Sequence, residues 1–154
     1  MSTQNCLAKE GKYLTFALGR EDYGLEILKV REIIGMMNIT AVPQVPAYVK
    51  GVINLRGKVI PVIDLRLKFG MPSIDTTAET CIIIVNLKDI LIGTIIDRVK
   101  DVLDIKQEMI EPAPNFGADV HTDYILGIGK VNDSVKILLN AERVLGEDTA
   151  YTNQ

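Results

Sequence analysis

Residues 51–70 read GVINLRGKVIPVIDLRLKFG and predict a β-hairpin. Apolar residues fill two short runs, 51–53 and 59–63, and a more polar stretch containing Asn and Gly separates them. Short runs rich in Val and Ile, bounded by turn-forming residues, are typical of antiparallel strands joined by a tight turn. This segment therefore places the middle of the chain in a β-sheet.

The turn of this hairpin carries a charged side chain between two turn-forming residues. Asn54 and Gly57 are the predicted structural residues of the turn, because Gly adopts a positive φ without steric cost and Asn tolerates one. Arg56 lies between them, so a planar, permanently charged guanidinium group is presented at the tip of a rigid hairpin. The neighbouring sequence contains no nucleophile and no set of metal ligands. An arginine in this setting indicates recognition rather than catalysis.

The rest of the chain has the same β-rich character. Leu14, Phe16 and Leu18 alternate with other residues, as in a strand, and the ranges 82–85 and 90–96 are almost continuous aliphatic runs. Such runs are typical of strands that are buried on both faces. Apolar residues make up 47% of the chain and aromatic residues only 5%, so Ile, Val and Leu dominate. The predicted fold class is mainly β.

Helices are predicted to be few and short. Residues 28–34 leave two interpretations open, a strand extension or a short helix, because the spacing of Val30, Ile33 and Ile34 fits a helical turn. Near the other end of the chain, residues 140–145 predict a helix that begins after Asn140 as its N-cap.

Composition limits the functional classes. A chain of 154 residues is expected to form one domain or two closely packed lobes. The 17 Lys and Arg residues are outnumbered by 20 Asp and Glu, which argues against nucleic acid as a partner. Cys6 and Cys81 match no disulfide or metal-binding spacing. With neither a secretory leader nor a membrane-length apolar run, we expect a cytoplasmic protein without direct membrane insertion.

An internal repeat relates the two halves of the chain. With a shift of 69, residues 24–34 overlay residues 93–103, and with a shift of 76, residues 48–52 overlay residues 124–128. The change of shift predicts a longer loop in the second half, within 115–123. The repeat predicts two pseudo-equivalent all-β lobes, and closure into barrels would remove their exposed strand edges.

The sequence offers no convincing active site. His121 lies between Asp119 and Asp123 in the longer loop, and it could act as a pH sensor or as a single metal ligand. A solvated loop histidine is favoured, because a metal site needs three or four converging ligands. None of the three serines lies in a G-x-S-x-G motif. We therefore predict no metal, no cofactor and no enzymatic activity.

Three aspartates, Asp64, Asp97 and Asp101, close or follow apolar strands. They can be interpreted as a ring of acids facing a partner, or as caps that accept hydrogen bonds from backbone N–H groups. Capping is the favoured interpretation for Asp64 and Asp97.

Several motifs, taken in order, resemble the CheW-like domain family of chemotaxis scaffold proteins. The resemblance covers roughly residues 13–146. The motifs are F-x-L-G at 16–19, Tyr-Gly at 23–24, I-x-x-V-x-E-I at 27–33, V-P-x-x-P-x-Y-V-K-G at 42–51, I-N-L-R-G-K-V-I-P-V-I-D-L-R at 53–66 and V-x-x-V-L at 99–103. Each motif is weak alone, and their order and spacing make the resemblance specific.

The resemblance implies a fold and a division of the chain. It implies two interleaved, SH3-like, five-stranded β-barrel lobes with a few short helices, in agreement with the repeat. The domain is expected to span 13–146, between a flexible amino-terminal tail at 1–12 and a carboxy-terminal tail at 147–154.

The resemblance also implies a function without catalysis. Family members couple the histidine kinase CheA, through its regulatory domain, to the cytoplasmic tips of methyl-accepting chemoreceptors in membrane-associated arrays. By motif, the residues expected to bind the receptor are Arg56, Val30, Ile33, Val99 and Val102. Glu32 is the candidate for the kinase interface. A monomer is expected in isolation, and a small β-barrel module that binds another protein or a ligand is the alternative.

Overall fold

Eleven β-strands and two short α-helices form the described part of the protein, residues 8–114 and 122–146 of a computed structural model. The strands are β1 Gly11–Leu18, β2 Glu21–Glu26, β3 Val30–Gly35, β4 Val49–Leu55, β5 Lys58–Asp64, β6 Cys81–Leu87, β7 Ile90–Ile96, β8 Arg98–Ile105, β9 Ile110–Glu111, β10 Ile125–Val131 and β11 Ser134–Leu139. The helices are α1 Leu65–Lys68 and α2 Ala141–Leu145. Single-turn 3₁₀ helices cover Ile27–Lys29, Gln107–Met109 and Thr122–Tyr124.

The strands form two sheets, and the chain leaves the first sheet and later returns to it. The first sheet has the order β8-β1-β2-β11-β10-β9, and with α2 it forms what we call the first lobe. The second sheet has the order β3-β6-β7-β5-β4, and with α1 it forms the second lobe. The predicted mainly β fold of two interleaved SH3-like lobes is confirmed. The first sheet has six strands rather than five because the two-residue β9 is added at its edge.

The predicted repeat is confirmed in the pairing of the strands. Under the repeat, the strand order of the first lobe reproduces that of the second lobe position by position. The equivalent elements are β1 and β6, β2 and β7, β3 and β8, β4 and β10, β5 and β11, and α1 and α2. The N-cap residues of the two helices are also held in the same way. The Asp64 amide donates to the Tyr48 carbonyl at 2.7 Å, and the Asn140 amide donates to the Tyr124 carbonyl at 2.8 Å.

Three buried clusters result from the alternation of side chains along the strands. One cluster lies between the lobes and takes side chains from both sheets, and we call it the shared core. Each lobe also has its own interior cluster. In β6, Ile83 and Val85 face the shared core, whereas Ile82 and Ile84 face the interior of the second lobe. The strand is thus buried on both faces, as its aliphatic run predicts.

The amino-terminal boundary of the domain differs from the predicted one. A tail is predicted over 1–12, but β1 begins at Gly11 and Ala8 is already buried. The reason is packing, because Ala8 belongs to the same interior cluster of the first lobe as Tyr13. Two further segments lie outside the described residues, namely 1–7 and the predicted carboxy-terminal tail at 147–154.

The ambiguous segment 28–34 contains both a helical turn and a strand. The 3₁₀ helix Ile27–Lys29 leads directly into β3, so the helical spacing within 30–34 was misleading. A β-bulge explains it, because the register of β3 on β6 shifts between Val30 and Glu32. One extra residue in a strand converts a period of two into a spacing of three.

Candidate interaction site

The turn between β4 and β5 has two central residues, both in the left-handed region. Arg56 has φ 51° and Gly57 has φ 89°, as in a type I′ hairpin turn. The side-chain Oδ1 of Asn54 accepts a hydrogen bond from the Gly57 amide at 2.9 Å, which fixes the turn from within. A two-residue turn of this type is rigid, so the Arg56 side chain leaves the hairpin in a defined direction.

Arg56 forms an ion pair with Glu32 of β3. These residues come from opposite ends of the five-stranded sheet, because β3 is one edge strand and β4, which leads into the turn, is the other. A second contact between the two ends of this sheet lies nearby, where Thr40 and Val52 exchange backbone hydrogen bonds of 2.8 and 2.9 Å. The ion pair and this bridge together close the second lobe into a barrel. The Arg56 side chain is nevertheless 69% exposed.

The structure therefore joins two residues that the sequence assigns to different partners. Arg56 is expected at the receptor interface and Glu32 at the kinase interface, yet their side chains meet across the mouth of one barrel. An exposed ion pair of this kind contributes little to stability, typically about 0.2–1 kcal/mol. Its geometric effect is larger, since Glu32 restricts the directions that the guanidinium group can take.

The two candidate apolar residues of β3 lie on one face of their sheet. In the register with β6, Val30 is opposite Val85 and Ile33 is opposite Ile83. Directly opposite residues of antiparallel strands have their side chains on the same face, and both partners belong to the shared core. The bulge at Arg31 makes this arrangement possible for residues three apart. Val30 and Ile33 therefore both face the space between the lobes.

The two candidate apolar residues of β8 repeat this arrangement in the first lobe. Val99 is opposite Phe16 and Val102 is opposite Leu14, with a register shift between the two pairs. Both partners again belong to the shared core.

We call Val30, Ile33, Val99 and Val102 the apolar margin. Val30 and Val99 pack against the shared core, whereas Ile33 and Val102 are 43% and 51% exposed. Because both strands lie at the edges of their sheets, the apolar surface extends outward from the core on each lobe.

The acidic residues behave mainly as caps. Asp64 Oδ1 accepts a hydrogen bond from the Leu67 amide at 3.2 Å and so caps α1. Asp97 accepts hydrogen bonds from the Gly19 amide and from the Arg66 guanidinium group. Burial alone would raise the pKa of Asp97, but these hydrogen bonds outweigh it and hold the pKa below its ordinary value. The favoured interpretation of both residues is confirmed.

A charged cluster in the first lobe was not predicted from the sequence. The carboxylate of Asp22 in β2 accepts hydrogen bonds from Lys136 at 2.6 Å and from Lys100 at 2.9 Å. Burial alone would raise the pKa of Asp22, but the two lysines outweigh it and lower the pKa. No local signal reveals this cluster, because 114 residues separate Asp22 from Lys136.

The remaining candidates contribute no chemical site to the described residues. His121, the predicted loop histidine, lies outside them. Within residues 8–114 and 122–146, no group of three or more His, Cys, Asp or Glu side chains is arranged to hold a metal ion. Burial raises the pKa of the Cys81 thiol, which forms no disulfide within the described residues. In the same ranges no helix has the length and apolar character needed to cross a membrane.

The sequence profile of the CheW-like domain matches residues 12–149, nearly the whole chain. The chain belongs to the CheW-like domain family. It is 39% identical to the chemotaxis protein CheW of Klebsiella aerogenes, over 89% of this chain and 82% of the relative. It is 36% identical to the chemotaxis protein CheW of Bacillus subtilis, over 92% of this chain and 90% of the relative.

A solved structure extends this relationship to three dimensions. The crystal structure of the scaffolding protein TtCheW from Thermoanaerobacter tengcongensis superimposes with a TM-score of 0.78 at 37% sequence identity. The match covers 85% of this chain and 89% of that chain. The family and its fold, which the motifs predict, are thereby confirmed.

Proposed function

We propose that this protein is a non-catalytic scaffold that couples the histidine kinase CheA to methyl-accepting chemoreceptors, so that the receptors control the kinase. Membership of a family whose relatives are named chemotaxis and scaffolding proteins supports this assignment. The observation that carries it is the apolar margin, which supplies two exposed apolar side chains at equivalent positions of the two lobes.

The apolar margin is suited to a helical partner. An amphipathic helix binds a groove through apolar side chains on one face, and the cytoplasmic tip of a chemoreceptor is a helical hairpin. Ile33 and Val102 offer such a surface, and Arg56 adds an exposed charge in the turn between β4 and β5, where Glu32 of β3 pairs with it. We assign this surface to the receptor.

Glu32 remains the proposed contact with the regulatory domain of CheA. Its carboxylate is bound to Arg56, so a substitution of Glu32 also releases the arginine. Any effect of such a variant on receptor binding must therefore be compared with that of an Arg56 variant. The protein is proposed to be a cytoplasmic monomer without a cofactor, recruited to membrane-associated receptor arrays by these two contacts.

The proposed contact with the receptor is tested by measuring how tightly the Arg56→Ala variant binds a purified receptor tip. We expect weaker receptor binding, unchanged binding of the CheA regulatory domain and a change in unfolding free energy below about 1 kcal/mol. Lys88→Ala is the matched control, because Lys88 is an exposed residue with the same φ of 51° in the turn between β6 and β7.

The outcomes separate the alternatives. Unfolding of Arg56→Ala would make Arg56 a structural residue, and wild-type receptor binding would remove it from the interface. The proposed contact with the kinase is tested by mixing this protein with the CheA regulatory domain. Size-exclusion chromatography with light scattering should then detect a heterodimer. If no complex forms at micromolar concentrations, the protein is a small β-barrel module for another partner.

A further inference from the structure

Within the described residues, the chain crosses between the two lobes at two places. The first crossing, between β2 and β3, is the 3₁₀ helix Ile27–Lys29. The second crossing, between β7 and β8, is the single residue Asp97. Each crossing leads directly into a strand that carries half of the apolar margin. The conformation at Asp97 therefore sets the direction in which β8, with Val99 and Val102, leaves the second lobe.

Asp97 is held by directional bonds on both carboxylate oxygens. Arg66 donates from Nε to Oδ1 at 2.9 Å and from Nη2 to Oδ2 at 3.0 Å, a bidentate contact. The remaining guanidinium nitrogen, Nη1, donates to the Pro72 carbonyl at 2.9 Å. The side chains of Arg66 and Asp97 are only 12% and 19% exposed. The contact is thus partly shielded from water and geometrically specific.

A third group ties this contact to the first lobe. The amide of Gly19, in the turn between β1 and β2, donates to Asp97 Oδ2 at 2.7 Å. A Cβ atom on Gly19 would lie 3.4 Å from Met71 Cε and 3.6 Å from Arg66 Nη2, so this turn packs directly against the second lobe. Gly19 has φ 61°, which a glycine adopts without strain. The hydrogen bond therefore joins the lobes at the point where the chain crosses.

We propose that Asp97, bound by Arg66 and by the Gly19 amide, is a positioning residue that fixes the angle between the lobes and thereby the spacing of the two halves of the apolar margin. The shared core holds the lobes together, but apolar contacts are non-directional and tolerate small rotations. Bidentate hydrogen bonds are directional and do not tolerate such rotations. At the other crossing Lys29 pairs with Glu142 of α2, and these side chains are more exposed.

The test measures the angle between the lobes without any partner. Spin labels are attached at Val59→Cys and Val135→Cys, which are exposed and occupy equivalent positions of the two lobes, after Cys6 and Cys81 are replaced by Ser. Pulsed electron paramagnetic resonance gives the distance distribution in this background and in its Asp97→Asn and Asp22→Asn derivatives. Asp22→Asn is the matched control, because it breaks ion pairs that lie wholly within the first lobe.

We expect a single narrow peak in the background protein and in Asp22→Asn, and loss of that narrow peak in folded Asp97→Asn. An unchanged narrow peak in Asp97→Asn would overturn the proposal, and so would equal broadening in Asp22→Asn. If Asp97→Asn does not fold, Arg66→Lys decides, because it keeps the charge but loses the bidentate contact.

Binding of the receptor tip supplies the second readout, which rests on the proposed function. The apparent Kd should rise as the fraction of molecules with the wild-type angle falls, by about tenfold if that fraction falls to about one in ten. Failure of the wild-type protein to bind the tip would refute the receptor assignment. The distance measurement would still decide the role of Asp97.

Discussion

Gly51→Ala should open the second lobe at the point where its barrel closes. Gly51 lies in β4 with φ 140°, and a Cβ atom there would lie 2.0 Å from the Thr40 carbonyl oxygen and 2.7 Å from its carbon. Both are backbone atoms, so no side-chain rotation relieves the overlap. Thr40 must move away, and it then loses both hydrogen bonds to Val52, of 2.8 and 2.9 Å.

The magnitude follows from two contributions. Two lost backbone hydrogen bonds cost about 1 kcal/mol each. An alanine held at a positive φ adds about 1–2 kcal/mol of strain. The total is about 3–4 kcal/mol of unfolding free energy. Gly57→Ala is the matched comparison, because Gly57 also has a positive φ of 89° but a Cβ atom there would meet nothing within 4 Å. Gly57→Ala should therefore lower the unfolding free energy only by the backbone strain, about 1–2 kcal/mol.

Urea unfolding followed by circular dichroism measures both free energies. Gly51→Ala should lose about 2 kcal/mol more than Gly57→Ala, the value of the two hydrogen bonds. Hydrogen exchange should show the Val52 amide unprotected in Gly51→Ala only. Equal losses in the two variants, with Val52 still protected, would mean that the Thr40 bridge does not close the barrel.

Two further predictions concern a buried hydroxyl and a partly buried carboxylate. Among the residues that the structure describes, the buried Thr94 hydroxyl has no hydrogen-bond partner, so Thr94→Val should stabilise the protein by about 1 kcal/mol and raise Tm by about 2–4 °C. A lower Tm would mean that the hydroxyl is satisfied. Asp22 has a lowered pKa, so its stabilising effect is complete above the unfolded value of about 3.9 and is lost as pH falls through the folded value. Urea unfolding between about pH 5 and pH 2 should therefore show that the unfolding free energy of Asp22→Asn falls less steeply with falling pH than that of wild type. Parallel pH dependences of the two unfolding free energies would contradict this.

Local features of the fold follow from neighbouring residues and were predictable. In the turn between β4 and β5, the positive φ of Gly57 and the side-chain acceptor of Asn54 were predictable, whereas the positive φ of Arg56 was not. The cap of α2 by Asn140 is equally local, since its Oδ1 accepts from the Arg143 amide at 3.2 Å. The repeat could also be predicted from the sequence, because equivalent lobes need equivalent patterns of apolar residues.

The candidate site was only partly predictable. The family motifs name the residues of the apolar margin, but the spacing of Val30 and Ile33 indicated a helical turn as well as it did a strand. The bulge that reconciles this spacing with a strand depends on the partner β6, which begins at Cys81, far along the chain. A strand acquires its register from its neighbour, so periodicity within one segment does not reveal where an extra residue is inserted.

The ion pairs lay beyond any pattern in the chain. Arg56 and Glu32 are 24 residues apart, and Asp22 and Lys136 are 114 apart. Each residue alone is an ordinary residue of a turn or a strand. They meet because the second sheet closes at Thr40 and Val52, and because the chain leaves the first sheet and later returns to it. Turns, caps and apolar alternation arise from steric and hydrogen-bonding preferences over a few residues. Long-range charge pairing arises from the packing of whole sheets, and it therefore appears only in the folded molecule.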